Sequence, residues 1–252
     1  MTRRIVWFSC GAASAVAAKL AIEKHGAIDT DVVYCDTMSD EHPDNARFFK
    51  DVERWIGKRI TVIGSKKYES VDDVFRRERY MSGIAGARCT VEMKKVPRLE
   101  FQTPDDIHIF GFTADEQNRI TRFEEQNVEL LEWILRDEGY TKADCLAAIE
   151  QAGIELPAMY RLGYKNNNCL GCVKATSTKY WNQVRRDFPD VFEKRAQQSR
   201  DLGVRLTRVK GQRIFLDELP PADDDGVLED VSCGPDCPLP DEPVERSTEG
   251  DE

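Results

Sequence analysis

No stretch of this chain is both long and apolar enough to make a transmembrane helix, so no membrane role is expected. No internal repeat is visible. Met1-Thr2-Arg3-Arg4 is basic, but the apolar run behind it stops within a few residues. That start reads as a first strand rather than a secretory signal, and the expected location is cytoplasmic. Eight cysteines in a chain read this way argue against a disulfide scaffold and toward metal or redox chemistry.

Charge is divided unevenly along the 252 residues. From Asp217 to Glu252 there are 14 acidic residues and one arginine, a net of −13 within a total of −10, which leaves +3 for the rest. The tail is also rich in proline, including Pro220, Pro221, Pro235 and Pro238. Such a segment buries too little apolar surface to fold alone and reads as an acidic, disordered-like tail, although it contains Cys233 and Cys237.

The most informative segment is Ile5-Val6-Trp7-Phe8-Ser9-Cys10-Gly11-Ala12-Ala13-Ser14. An apolar strand ends in a cluster of small residues, and a helical pattern follows through Val16, Leu20 and Ile22. A strand feeding a helix through such a turn gathers backbone N–H groups at one spot, suited to a phosphate. Gly11 is expected to supply backbone angles that other residues avoid, and Ser9 and Ser14 to add hydroxyl donors.

Strand-like and helix-like segments alternate afterwards: a helix over 14–25, a strand over 31–35 ending in Asp36-Thr37, and a helix over 43–56. A strand at 59–63, a helix at 71–79 and a strand at 107–110 ending in Gly111 complete the first half. This pattern predicts an α/β fold, a parallel sheet with helices on both faces. Ligands of such sheets bind beyond the carboxyl ends of the strands. From Glu124 the pattern is helical, over 128–138, 141–152 and 178–202, with an irregular loop at 163–174 and a small hairpin at 206–216. The expected parts are a nucleotide-binding core over 1–123, a helical part over 124–216 and the tail over 217–252.

Cys169-Leu170-Gly171-Cys172 is a C-x-x-C preceded by three asparagines, Asn166 to Asn168. That spacing suits a metal, two corners of an iron–sulfur cluster, thiol–disulfide exchange, or two buried thiols. Cys89 stands in Arg88-Cys89-Thr90-Val91-Glu92-Met93-Lys94-Lys95-Val96-Pro97, where basic neighbours favour a thiolate. In Gly111 to Arg119, Glu116 and Arg119 share a helical face and read as ribose or phosphate contacts or as an ordinary surface pair. Asp36 reads as an adenosine contact or a turn residue. Cys10 needs mainly to be small; Cys35 and Cys145 read as core.

Taken together, these segments resemble the phosphoadenosine phosphosulfate (PAPS) reductase family of the adenine nucleotide alpha-hydrolase-like, PP-loop (HUP-like) superfamily. The resemblance covers roughly residues 5–200 and rests on the order of its motifs: the turn at 9–14, Tyr34-Cys35-Asp36-Thr37, Cys89 to Pro97, Gly111 to Arg119, and Leu162-Gly163-Tyr164 leading into the C-x-x-C. It implies phosphate and nucleotide contacts from Ser9, Cys10, Gly11, Ala12, Ser14, Asp36, Thr37, Lys94, Lys95, Gly111, Glu116 and Arg119. It implies a 4Fe-4S cluster, or zinc, on Cys89, Cys169 and Cys172, the fourth ligand being Cys145, Cys233 or Cys237 or the position staying open. Cys233 or Cys237 would be the attacking thiol in the reduction of adenylylated sulfate, with a thioredoxin-type partner. A second reading is ATP-dependent sulfur transfer or nucleic-acid thiolation, and a third is a non-catalytic nucleotide-binding zinc module. Three departures stand out. Cys10 and Ala13 replace a glycine and the aspartate of S-G-G-x-D-S; Arg88-Cys89 replaces a Cys-Cys pair; and Cys233-Gly234 matches the family's E-C-G only loosely.

Overall fold

The computed structural model describes residues 2–83, 86–127, 129–222 and 228–231. The central sheet holds β1 (Arg4–Phe8), β2 (Thr30–Cys35) and β3 (Thr61–Ile63). Two short pieces, β4 (Ser82–Gly83) and β5 (Gly86–Ala87), pair only with each other. The sheet is completed by β6 (Ile107–Ile109) and β7 (Leu130–Glu132), in the order β3-β2-β1-β6-β7, every pair parallel. Connections therefore run outward in opposite directions from β1 and β6, and the crevice between their carboxyl ends is the natural ligand position.

Helices α1 (Ala12–His25), α2 (Asn45–Ile56), α3 (Val71–Glu78) and α4 (Arg88–Thr90) follow in the first part. A π-helical turn over Val91–Lys95 leads into α5 (Val96–Phe101), then come α6 (Gln117–Gln126) and α7 (Ile134–Asp137). The later helices are α8 (Lys142–Gln151), α9 (Ala158–Arg161), α10 (Thr178–Asp187) and α11 (Pro189–Asp201). The hairpin pairs β8 (Thr207–Val209) with β9 (Gln212–Ile214).

Alternation along β1 explains why both faces are covered. Val6 and Phe8 pack with the α1 alanines, Val52 of α2 and Ile149 of α8. Ile5 and Trp7 pack on the other face with Phe110, Phe112, Phe123 and Trp133. The alanine-rich sequence of α1 forms helix readily and lies close to the sheet. A third cluster joins α3, Met93, the cysteine loop, α10, α11 and the hairpin around the fully buried Trp181. Packing thus crosses the sequence boundary at 123 and 124: α3 belongs with the late helices, and α7 and α8 belong with the sheet.

Two segments differ from the helical expectation. Residues 128–138 were expected to be helix, but Leu130–Glu132 is the sheet's edge strand, paired with Ile107–Ile109, and only Ile134–Asp137 is helical. Pairing to an open sheet edge outweighs local pattern over so short a run. The stretch from Thr178 to Leu202 is two helices, because Pro189 lacks the N–H that would continue α10 and instead begins α11.

Arg3 and Asp106 tie the starts of β1 and β6 together. Arg3 Nε donates to Asp106 Oδ1 at 2.9 Å and Nη2 to Oδ2 at 2.6 Å, while the Thr103 N–H donates to Oδ2 at 2.6 Å. The Arg3 bonds above all hold the Asp106 pKa down to about 2. The folded carboxyl therefore binds its proton less readily than the unfolded one, so stability is present above pH ~4 and is lost as pH falls toward ~2. Asp106→Asn is expected to cost about 1–2 kcal/mol at neutral pH and to flatten the loss of stability between pH ~4 and ~2, read by urea melts across that range.

Candidate nucleotide site

The turn after β1 is closed by its own serines. Ser14 Oγ donates to the Gly11 carbonyl at 2.9 Å and accepts from the Ser9 N–H at 3.1 Å. Ser9 Oγ lies 3.1 Å from Ser14 Oγ. Ser14 is buried, and Ser9 is the exposed hydroxyl of the pair. Helix α1 starts directly behind them and carries no acidic side chain in its first turn, so its positive end is not neutralised by its own residues.

The left-handed residue of this turn is Cys10, at φ 59°, and not Gly11, which sits at φ −103°. That corrects the expectation that Gly11 supplies unusual backbone angles. Gly11 matters for closeness: a Cβ there would meet Tyr160 Oη at 3.2 Å. Backbone crowds Gly111, just after β6. A Cβ at Gly111 would stand 2.7 Å from Ser14 N and 2.8 Å from Ser14 Cα, so only glycine lets this strand end press on the turn.

A cavity of about 170 Å³ opens over the carboxyl ends of β1, β2 and β6. Ser9, Gly11, Ala12 and Ser14 line it, as do Lys94, Lys95, Gly111, Glu116 and Arg119. Nine of the twelve residues expected at a nucleotide thus meet in one place. The other three do not line it. Cys10 is buried in the core, its Sγ 3.6 Å from the Asn45 carbonyl. Asp36 is exposed and accepts from the Met38 N–H at 3.0 Å, which is the turn role. Thr37 is buried and donates to Glu41 at 2.6 Å.

Five basic side chains and one carboxylate line the cavity: Lys94, Lys95, Arg98, Arg119 and Lys142, with Glu116. The π-helical turn ends in Lys94 and Lys95 and so brings both to the cavity wall. Glu116 Oε2 accepts from the Thr113 N–H and hydroxyl, both at 3.0 Å, and Oε1 accepts from Arg119 Nη1 at 2.6 Å. This holds the loop after Gly111 in shape and keeps the Arg119 guanidinium over the Phe112 ring, 4.1 Å from its centroid. Trp7, Val33, Tyr34, Phe110 and Phe112 make the apolar wall.

Sequence reasoning missed Arg98, Lys142 and Tyr160. Arg98 is buried over the Trp7 and Phe110 rings, its Nη2 3.2 Å from Glu129 and its Nε and Nη1 without hydrogen-bond partners. Burial lowers its pKa. The signal in the sequence was slight: one arginine directly after Lys94-Lys95-Val96-Pro97. Tyr160 Oη accepts from the Ala12 N–H at 3.4 Å, a contact across the fold that no local pattern foretells.

The side chains of the three asparagines connect the cysteine loop to the rest of the fold. Asn167 Nδ2 donates to the Cys10 carbonyl at 2.7 Å and to Asn45 Oδ1 at 2.9 Å. Asn166 and Asn168 both donate to the Val231 carbonyl. All three line the cavity, so the cysteine loop adjoins it.

Cys169 and Cys172 are buried in the third cluster, and Cys89 packs against it. The loop is fixed from several sides: Cys172 N–H donates to Tyr180 Oη at 2.9 Å, and Arg195 Nε donates to the Gly171 carbonyl at 3.2 Å. Gly171 has φ 61°, and a Cβ there would meet Val191 at 2.9 Å. Among the described residues no three His, Cys, Asp or Glu come together to hold a metal. Cys145 lies apart, in the cluster around α1, and burial pushes its thiol up to about 12. Cys233 and Cys237 lie outside the described residues.

No family model matches this chain, and no curated protein matches it. Among solved structures, the crystal structure of phosphoadenylyl-sulfate (PAPS) reductase from Candida auris, in a phosphate complex, is similar over 67% of this chain and 82% of that one. The sequence identity is 14% and the TM-score 0.49. The functional reading therefore rests on the site's own residues.

Gly111→Ala is expected to destabilise the fold by about 1–3 kcal/mol, because backbone and not a flexible side chain stands in the way. Gly11→Ala is expected to cost under about 1 kcal/mol, since its backbone angles suit any residue and only Tyr160 Oη must give way. Urea melts of the two variants test this order, which a φ-based role for Gly11 would reverse.

Proposed function

We propose that this chain is an enzyme that binds an adenine nucleotide across the carboxyl ends of β1, β2 and β6. The observation that carries the reading is the cavity where the amino end of α1 meets five basic side chains and one carboxylate. Phosphates lie against residues 9–14, where helix N–H groups and the Ser9 hydroxyl donate. Lys94, Lys95 and Arg119 neutralise their charge. The base packs on the wall of Trp7, Val33, Phe110 and Phe112.

The chemistry implied by the sequence resemblance is reduction of adenylylated sulfate. A thiolate attacks the sulfur of the nucleotide's sulfate, its S–O bond to phosphate breaks, and the nucleotide leaves with the electron pair. A second thiol, from a thioredoxin-type partner, then forms a disulfide with the sulfonated cysteine and releases sulfite. Burial works against attack by three of the described thiols: it pushes Cys35 up to about 11 and Cys145 up to about 12, and raises Cys10 as well. In this reading the attacking thiol is Cys233 or Cys237.

A second reading is ATP-dependent sulfur transfer, in which the nucleotide activates an acceptor such as a nucleic-acid base. The net charge of +3 outside the tail is compatible with a nucleic-acid partner.

Calorimetry with PAPS, ATP and AMP tests the site. Ser14→Ala is expected to weaken phosphate-bearing ligands by about 1–3 kcal/mol, because the turn loses the hydroxyl that closes it. Unchanged affinity in Ser14→Ala and in Lys94→Ala/Lys95→Ala together would overturn the phosphate assignment. Sulfite formed from PAPS with a dithiol supports reduction. Pyrophosphate formed from ATP with a nucleic-acid acceptor supports transfer. Binding without turnover of either leaves a nucleotide-binding module.

A further inference from the structure

Arg98 lies on the opposite face of the sheet from the phosphate turn. The turn leads into α1, which packs on the face that carries Val6 and Phe8. Arg98 belongs to α5 and lies against the other face, its guanidinium carbon 5.9 Å from the centre of the Trp7 ring and 5.4 Å from that of Phe110. The cavity therefore crosses the carboxyl end of the sheet, with the amino end of α1 on one face and Arg98 on the other. Glu129 and Gln102 hold Arg98 in place: Glu129 Oε1 accepts from Arg98 Nη2 at 3.2 Å and from Gln102 Nε2 at 3.0 Å.

Arg98 is only 6% exposed, yet its Nε and Nη1 have no hydrogen-bond partner among the described residues. Buried donors left unpaired are costly, and two of them on a cavity wall call for an acceptor that enters the cavity. The other polar side chains of this wall are engaged: Trp7 Nε1 donates to His108 Nδ1 at 2.9 Å, and Cys35 Sγ lies 3.5 Å from the Lys94 carbonyl. A phosphate here would meet a cation whose charge Glu129 already offsets. A neutral acceptor satisfies the donors without bringing a charge into the apolar wall. Purine ring nitrogens are such acceptors, and a flat ring suits the surfaces of Trp7, Val33 and Phe110.

We infer that Arg98 recognises the base of the nucleotide, donating from Nε or Nη1 to a purine ring nitrogen, and is the specificity-determining residue of the site. The inference rests on the nucleotide reading above and adds the group that reads the base. The ring lies against Trp7, Val33 and Phe110, and the phosphate reaches back over the strand ends to residues 9–14. Glu129 and Gln102 are positioning residues, acting only through the guanidinium they hold. A base that lacks the nitrogen leaves the Arg98 donors buried and unpaired, which is a strong ground for rejection.

The test is calorimetry on the full chain with AMP, with its 1-deaza, 3-deaza and 7-deaza analogues, each of which exchanges one ring nitrogen for C–H, and with ribose 5-phosphate, which has no base. The unaltered chain is expected to bind one of the analogues roughly tenfold or more weaker than AMP. Arg98→Met is expected to weaken AMP by a similar factor and to bind AMP and that analogue alike. Its affinity for ribose 5-phosphate should change less than about twofold, since the phosphate contacts are separate. A merely structural arginine would leave the discrimination between AMP and the analogue in place. Should Arg98→Met not fold because Glu129 is left unpaired, Arg98→Met/Glu129→Gln replaces it, and the analogue series on the unaltered chain needs no variant. Equal binding of AMP and all three analogues by the unaltered chain would overturn the inference. So would AMP bound undiminished by Arg98→Met, or AMP and ribose 5-phosphate weakened by the same factor, which would make Arg98 an anion contact. Failure of AMP and ribose 5-phosphate alike to bind the unaltered chain would overturn the nucleotide reading itself.

Discussion

Asn167 holds the functional end of this molecule together. One buried amide donates to the carbonyl of Cys10, in the turn after β1, and to Asn45, at the start of α2. Three segments far apart in sequence are thereby set against one another. Cys10 is in a left-handed conformation, which a non-glycine residue keeps only when its surroundings hold it there. Removing the Asn167 amide would leave the buried Cys10 carbonyl without this donor, at a cost comparable to a lost hydrogen bond. The turn and the cysteine loop are therefore not separate features. The shape of one depends on the place of the other.

Gly111 imposes the matching constraint from the opposite side. Its strand end presses on the backbone of Ser14 with no room for a side chain. Between Asn167 and Gly111 the turn is clamped, and the serines inside it complete its internal bonds. A site that takes a phosphate through backbone N–H groups gains from such rigidity, because its donors need no reordering when the anion arrives. The cations around it belong to the π-helical turn, to α5, to the first turn of α6 and to the start of α8, so the charge converges from elements packed on both sides of the sheet.

The fold was legible where pattern is long or sharply punctuated. The turn at 9–14, the alternation through Ile109 and the hairpin near Gly211 can all be read from neighbouring residues. The edge strand Leu130–Glu132 could not, because three residues carry no period and its identity comes from an open sheet edge. The break at Phe188 was marked by Pro189, a signal present in the sequence. In the site, residues presented by a local motif were found, among them Ser9, Lys94 and Glu116. Those placed by packing were not: Arg98 faces the cavity because α5 lies over Trp7 and Phe110, and Tyr160 because a four-residue helix ends beside Ala12. Asp36 shows the reverse case, a strand-end carboxylate whose own turn consumes it.

By composition the acidic tail reads as disordered-like. Composition cannot show that a few residues within such a stretch find strong local partners. Glu229 does so by satisfying two backbone N–H groups just before α10, which the loop would otherwise leave to water. Val231 adds a buried apolar anchor, and two asparagines seize its carbonyl. Each contact alone is modest beside the entropy of ordering the chain. Several contacts on four successive residues reinforce one another, since the ordering cost of a short segment is met once and shared among them. Evolution of a strap at this point has a physical rationale only if the loop beneath gains from being covered. That loop carries two buried thiols and forms one wall of the nucleotide cavity through its asparagines. A fastened cover over thiols at a cavity wall suits chemistry that must keep those sulfurs in a fixed place.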